Sequence, residues 1–281
     1  MRDVWAEGNA YEAYMGRWSR RVAAVFVPRL DVPPGRRWLD VGCGTGSLTA
    51  AALALADPSM VVGVDPSTGF LAAAPADERA AFCAGDARSL PFRDRSFDAV
   101  VSGLALNFVP DPAAAASELV RVAVPGGTVA AFVWDYADGM GMLRYFWDAA
   151  SALDPAVASR DEGGRFPLCR PDPLRALWRG AGVRAVAVDA VEVPTVFATF
   201  DDYWRPFLGG QGPAPGHVAS LADDQRAALR ELVRARLPTQ RDGSIRLTAR
   251  AWAVYGTAGP RANRSTSSAT GTLVLWPHHR R

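Results

Sequence analysis

Twelve consecutive residues constrain this chain more than any others: Trp38-Leu39-Asp40-Val41-Gly42-Cys43-Gly44-Thr45-Gly46-Ser47-Leu48-Thr49. Trp38 to Val41 read as a buried parallel strand, and an Ala/Leu-rich helix follows from about Ser47 to Ala56. Between them glycine alternates at 42, 44 and 46. Strand, glycine loop and helix form the geometry in which a backbone closes on a nucleotide-like ligand. Glycine removes the Cβ atoms that would hold the ligand away, and the free N–H groups of the helix start favour a carboxylate or phosphate.

The spacing narrows the ligand. A dinucleotide fingerprint needs G-x-G-x-x-G, whereas here the third glycine comes one residue early. A phosphate-binding P-loop needs a lysine, and the chain has none: all 31 basic residues are arginines. That absence also removes Schiff-base chemistry. The string Leu39-Asp40-Val41-Gly42-Cys43-Gly44-Thr45-Gly46 is similar to the first motif of class I S-adenosyl-L-methionine (SAM) methyltransferases, [LV]-D-[VL]-G-C-G-x-G, and matches it at every position. The resemblance implies an α/β fold: a Rossmann-like seven-stranded, mostly parallel sheet. Its last strand is antiparallel and lies between the fifth and sixth, with helical insertions forming a cap. It also implies SAM as the cofactor.

Bulk properties leave room for that reading. A chain of 281 residues can bury a substantial core. The net charge of +2 gives no reason to expect a nucleic-acid or membrane partner. Cys43, Cys83 and Cys169 show no paired spacing, so no disulfide framework is expected. No apolar run reaches membrane-span length and no signal-like segment opens the sequence, so a cytoplasmic setting is expected.

In chain order, residues 1–35 precede the first strand. Tyr11, Tyr14, Trp18, Val22 and Phe26 recur at helical spacing, predicting an amphipathic segment that packs on the domain or closes as a lid. Met60 to Asp65 reads as the second strand, with Pro66 next. Asp65 stands near where a carboxylate accepts from two ribose hydroxyls, although an aspartate there also suits a helix cap. Ala80 to Ala87 reads as the third strand and its exit. Its Gly85-Asp86-Ala87 resembles the family's adenine corner, with Asp86 accepting from the amino group and the Ala87 N–H meeting a ring nitrogen. Ser96 to Ser102 is the fourth strand; Asp98 at its start is read as structural, while Ser102 and Leu104 line the mouth. Asn107 stands where the family often has histidine, so no role passes from that histidine. Asn107-Phe108-Val109-Pro110 also departs from the N-P-P-Y pattern of enzymes that methylate base or glutamine amino groups. The resemblance covers about 100 residues and implies cofactor contacts at Asp40, Gly42, Cys43, Gly44, Gly46, Asp65, Pro66, Asp86, Ala87, Ser102 and Leu104.

Beyond Asp135 the pattern thins. The expected arrangement is one domain over 36–258, with cap insertions at about 139–170 and 197–240. The Ser/Thr-rich stretch 259–281 has no periodicity and is expected to be a disordered tail. Trp18, Trp147, Phe166, Tyr203, Trp204 and Phe207 are the candidates for the acceptor side, with plain core packing as the competing reading. A high-pKa oxygen acceptor would want a base, and Asp135, Tyr136, Asp202 and His217 are the only residues in plausible loops. His217, beside a Pro/Gly run, reads as solvated. No spacing suits a metal. The function expected is methyl transfer to a small-molecule acceptor. The alternatives are a SAM-binding protein without catalysis and, further off, an NAD(P)-dependent oxidoreductase. Oligomeric state is not legible.

Overall fold

The computed structural model describes residues 15–210 and 212–259. Tyr11, Tyr14 and the 260–281 part of the expected tail lie outside them. The elements are α1 (Arg17–Arg29), β1 (Arg37–Val41), α2 (Ser47–Leu55), β2 (Met60–Asp65), α3 (Thr68–Leu71), β3 (Ala80–Ala84), β4 (Phe97–Gly103), α4 (Pro112–Val122) and β5 (Ala123–Trp134). They continue with α5 (Gly141–Leu153), α6 (Glu162–Arg165), α7 (Pro171–Gly180), β6 (Val183–Phe197), α8 (Phe200–Trp204), α9 (Pro213–Ala219), α10 (Asp223–Arg236) and β7 (Ile245–Ala258).

The seven strands form one sheet in the order β3-β2-β1-β4-β5-β7-β6. β1 pairs in parallel with β2 (Leu39 opposite Val62) and with β4 (Leu39 opposite Val100). The last strands run antiparallel. The parallel strands are nearly continuous apolar runs because helices cover both faces of such a sheet. Leu39, Val61, Ala99 and Val100 have no exposed surface. The order turns back between β1 and β4, and the crevice outside the carboxyl ends of strands at such a switch point is where open α/β sheets take ligands. Asp98 sits at the other end, accepting from the Arg37 N–H at 2.9 Å with Arg36 3.5 Å away, a structural role. β3 ends at Ala84, and in the exit that follows Asp86 accepts from the Arg88 N–H at 2.8 Å and turns the chain.

The described residues divide into two compact units, one of 23–133, 171–189 and 253–259, the other of 15–22, 134–170, 190–210 and 212–252. In the first, α4 is capped by Asp111, which accepts from the Ala114 N–H at 3.0 Å, with Pro112 at the first helical position. α7 buries Leu174 and Trp178, whose indole N–H donates to the Val129 carbonyl at 3.1 Å. The loop after β3 is clamped from α4. Arg121 donates to the carbonyls of Leu90 and Phe92 and to Asp94 and Glu118, and Glu118 accepts from the Leu90 N–H.

The second unit is aromatic. α5 turns Met142, Leu143, Phe146 and Trp147 inward, and Phe146 stacks on Phe207 with centroids 4.5 Å apart. Tyr203 is fully buried and donates to the Met142 carbonyl at 2.7 Å. Trp18 meets Phe197 edge-on, and Phe197 meets Tyr203 likewise. Asp135, only 2% exposed, accepts from the Arg250 guanidinium at 2.7 Å and from the Asp138 N–H at 3.0 Å. Losing one member of a buried pair strands the other, so Arg250→Ala should cost about 3 kcal/mol. The double variant Asp135→Ala/Arg250→Ala should recover part of that loss in urea denaturation.

Candidate functional site

The candidate site is built at the carboxyl ends of β1, β2 and β4. The Gly42 and Cys43 N–H groups both donate to the Val64 carbonyl, at 2.7 and 3.1 Å, and lash the loop to β2. A Cβ on Gly42 would lie 2.3 Å from that of Ala105, and one on Gly46 would lie 2.5 Å from the Pro75 ring; both residues have positive φ. Gly44, also at positive φ, faces open space. Two glycines therefore serve close packing, and the third leaves the loop's outer surface bare for a ligand. Gly46 is the N-cap of α2 and brings no side chain to cap the first turn, which leaves that turn suited to an anionic group.

Asp65, 7% exposed, accepts from the Gly44 N–H at 3.0 Å through one oxygen and from the Ser67 N–H at 2.8 Å through the other. A carboxylate has about four acceptor positions, so two remain for a pair of hydroxyls. The cap of α3 is Ser67, not Asp65. Burial raises the Asp65 pKa while the two N–H bonds oppose it. Asp40 is almost wholly buried; the Thr49 hydroxyl donates to one oxygen at 2.8 Å and the other has no partner. Burial pushes its carboxyl up to about 7. Cys43 is buried and its thiol is raised well above the usual range by the same cause, so it is inert.

Ser102 is buried with an unpartnered hydroxyl, and Leu104 takes φ +61 while its N–H donates to the Phe132 carbonyl. A leucine in the left-handed region is strained by about 1–3 kcal/mol, and such strain clusters at functional sites. Pro66 is exposed. Asp86 is exposed and held by Arg88, whose Nε and Nη donate at 2.6–3.1 Å while its backbone N–H donates at 2.8 Å. That grip lowers the Asp86 carboxyl to about 2. Arg88 is the partner missed from sequence; the Asp-x-Arg spacing was its only signal. Ala87 follows, half-buried.

A loop bare at one glycine, an uncapped helix start, a buried carboxylate with spare acceptor positions and a second buried carboxylate with an orphaned oxygen fit a nucleoside bearing a zwitterionic, cationic tail. Among the described residues no cluster of three or more His, Cys, Asp or Glu side chains could hold a metal.

Other sequence candidates fall in the aromatic unit. Trp18, Trp147, Tyr203, Trp204 and Phe207 are buried there, Trp18 against Phe197, Trp147 against Phe146, and Tyr203 and Trp204 against Phe207, while Phe166 stays partly exposed against Tyr136. Asp135 is committed to Arg250, and Asp202 accepts from the Ala198 N–H and from Arg17. His217 is not solvated: it is 6% exposed, set against Phe146 and Trp147, with Nδ1 unpartnered and its pKa lowered by burial. The Pro/Gly run beside it forms the start of α9, which turns the ring inward. Glu162 is 3% exposed and accepts from the Trp147 indole N–H at 2.6 Å. Nothing in Asp161-Glu162-Gly163-Gly164 marks it as buried.

Residues 39–131 match the family model described as methyltransferase domain. The demethylmenaquinone methyltransferase of Roseiflexus sp. (strain RS-1) is 41% identical over 116 residues, 40% of this chain and 47% of that protein. The 2-methyl-6-phytyl-1,4-hydroquinone methyltransferase of Synechocystis sp. (strain PCC 6803) is 38% identical over 192 residues, 64% of this chain and 57% of that protein. The chain spans about half the length of the curated relatives it matches. Among solved structures, Haemonchus contortus phosphoethanolamine N-methyltransferase 2 in complex with SAM superposes with a TM-score of 0.55 at 19% identity, over 90% of this chain and 57% of that one. No helix among the described residues is long and apolar enough to cross a membrane.

Burial pushes the Glu162 carboxyl from 4.5 up to about 7. The folded pKa is the higher one, so both states are protonated at low pH. As pH rises from 4.5 to 7 the unfolded carboxyl ionises while the folded one keeps its proton, which costs progressively more stability and reaches about 3 kcal/mol above that window. Glu162→Gln should gain stability relative to wild type between pH 5 and 8, read as a widening difference in melting temperature.

Proposed function

We propose that this protein transfers the methyl group of SAM to a small-molecule acceptor by in-line displacement. The observation that carries the reading is the loop at the end of β1, bare at Gly44 and pinned to the buried carboxylate of Asp65. SAM supplies an activated methyl on its sulfonium. The chain's task is to bind, orient and exclude water. The Gly42–Gly46 backbone and the first turn of α2 would take the methionine carboxylate. Asp65 would accept from the ribose hydroxyls, and Asp86 and the Ala87 N–H would read the adenine edge. Asp40, Ser102 and Leu104 would line the methionine end beside Cys43, and Pro66 would border the ribose.

The acceptor is a small, partly apolar molecule. The two relatives, named for methylating a demethylmenaquinone and a hydroquinone, support a quinone or hydroquinone ring, and the near-balanced charge gives no support to a nucleic acid. Trp18, Trp147, Phe166, Tyr203, Trp204 and Phe207 remain the proposed acceptor-side residues, Phe166 foremost because its ring is partly exposed. Tyr203 does not serve as a base, since burial holds its hydroxyl well above the usual range. Of Asp135, Tyr136, Asp202 and His217, only His217 is buried with a ring nitrogen unpartnered.

Calorimetric titration with SAM tests the cofactor. Saturable binding is expected in the wild type and at least a tenfold loss in Asp65→Ala, since a buried charge-assisted hydrogen bond is worth about 1.5–3 kcal/mol. NADH should give no heat of binding; preference for NADH would overturn the reading. Methyl transfer from labelled SAM to a hydroquinone panel tests the acceptor class.

The same titration has a pH signature. A cationic ligand favours ionised Asp40, whose free carboxyl titrates at about 7. Affinity should therefore rise with pH up to about 7 and flatten above it, with proton release on binding near neutrality. Asp40→Asn should flatten this profile.

A further inference from the structure

A cleft lies wholly within the aromatic unit. It is a groove of about 460 Å³ between two walls, Asp201, Trp204, Arg205 and Leu208 on one side and Asp223, Arg226, Ala227 and Arg230 on the other. Both walls run i, i+3, i+4, i+7, so each is one face of about two helical turns. The volume is that of a small-ligand site, where roughly 300–1,000 Å³ is usual.

The lining has an apolar strip and a cationic rim. Leu208 is 56% exposed, the largest value for a big hydrophobic side chain among the described residues. Trp204 stacks on Phe200, whose ring carries the guanidiniums of Arg230 and Arg234 at 5.1 and 4.3 Å. Arg226 pairs with Asp223 and Arg230 with Asp201, but those carboxylates are 95% and 70% exposed. Pairs so exposed are worth little and exchange readily for another anion. Arg205 makes no ion pair or hydrogen bond among the described residues and stands between Trp204 and Leu208 in the same wall. Glu231 takes the other Nη of Arg230 at 2.8 Å, so the charge left unanswered in the groove is that of Arg205, beside the exposed Leu208.

We propose that this groove binds a free amphipathic anion, its apolar body along Leu208 and Ala227 and its carboxylate or phosphate on Arg205. Arg226 and Arg230 are the flanking cations. A guanidinium suits the role because its planar fork matches a carboxylate or phosphate while its stem lies along apolar surface.

Calorimetry of the full chain with decanoate and with decyl phosphate, both kept below micelle formation, tests this. Saturable one-to-one binding of either anion is expected, none of decyltrimethylammonium, and no competition from SAM. Arg205→Glu should weaken binding about tenfold or more, the cost of turning one charge-assisted contact into a repulsion. Leu208→Ser should weaken it several-fold, and both exposed positions should leave the melting temperature unchanged. Equal binding of the cation, indifference to Arg205→Glu, displacement by SAM or no binding of either anion would each overturn the proposal. Co-sedimentation with phosphatidylglycerol vesicles but not phosphatidylcholine vesicles, without binding of the monomeric anions, would also overturn it and assign the groove to an anionic bilayer. SAM binding is measured on the same samples, so its failure is distinguishable from failure of the groove.

Discussion

The Asp65 carboxylate holds two stretches of backbone that would otherwise be free to part. One oxygen takes the Gly44 N–H of the glycine loop, and the other takes the Ser67 N–H that opens α3. The loop is also tied to β2 through the Val64 carbonyl and wedged against Ala105 and Pro75 where a Cβ has no room. A loop fixed at this many points has little conformational entropy left to lose when a ligand arrives, which is what preorganisation means in energetic terms. The same bonds keep a largely buried carboxylate ionisable, because two backbone donors offset part of its desolvation. Structural pin and ligand acceptor are thus compatible roles for one side chain.

The loop that follows β3 is held by a different device. Arg121 reaches across from α4 to two carbonyls and two carboxylates, and Arg88 closes on Asp86 from within the loop itself. Both arginines do what lysine cannot, donating through several N–H groups at fixed angles. A chain whose 31 basic residues are all arginine favours such forked contacts throughout. Arg144 on Asp161 and Arg250 on Asp135 follow the same pattern in the aromatic unit.

That unit stores polar groups in an unusual place. Glu162 sits under the Trp147 indole N–H, and His217 lies against the same ring with one nitrogen unpartnered. Each is held near its neutral form by burial, Glu162 upward and His217 downward. A protonated carboxyl and a neutral imidazole are far cheaper to bury than the corresponding ions. The surrounding rings exclude water, and Tyr203 spends its hydroxyl on a backbone carbonyl rather than leaving it free.

The parallel half of the sheet was legible from sequence because its information is local. Apolar runs such as Val61-Val62-Gly63-Val64 and the glycines at 42, 44 and 46 each act within a few residues. Asp65 could be placed at a strand end for the same reason. The aromatic unit was not legible in that way. Tyr203, Trp204 and Phe207 have a spacing that suits a pocket wall as well as a core, and their contacts with Phe146 and Phe197 join residues that are not neighbours in sequence. Burial of Glu162 and His217, the Asp135–Arg250 pair and the grip of Arg88 on Asp86 depend on which side chains meet. Sequence by itself determined the elements of the sheet and the bare loop at its edge, since backbone conformation and hydrophobic period are written locally. Tertiary structure alone decided which polar groups lose water and which find partners, because desolvation and pairing belong to contacts between residues far apart in the chain.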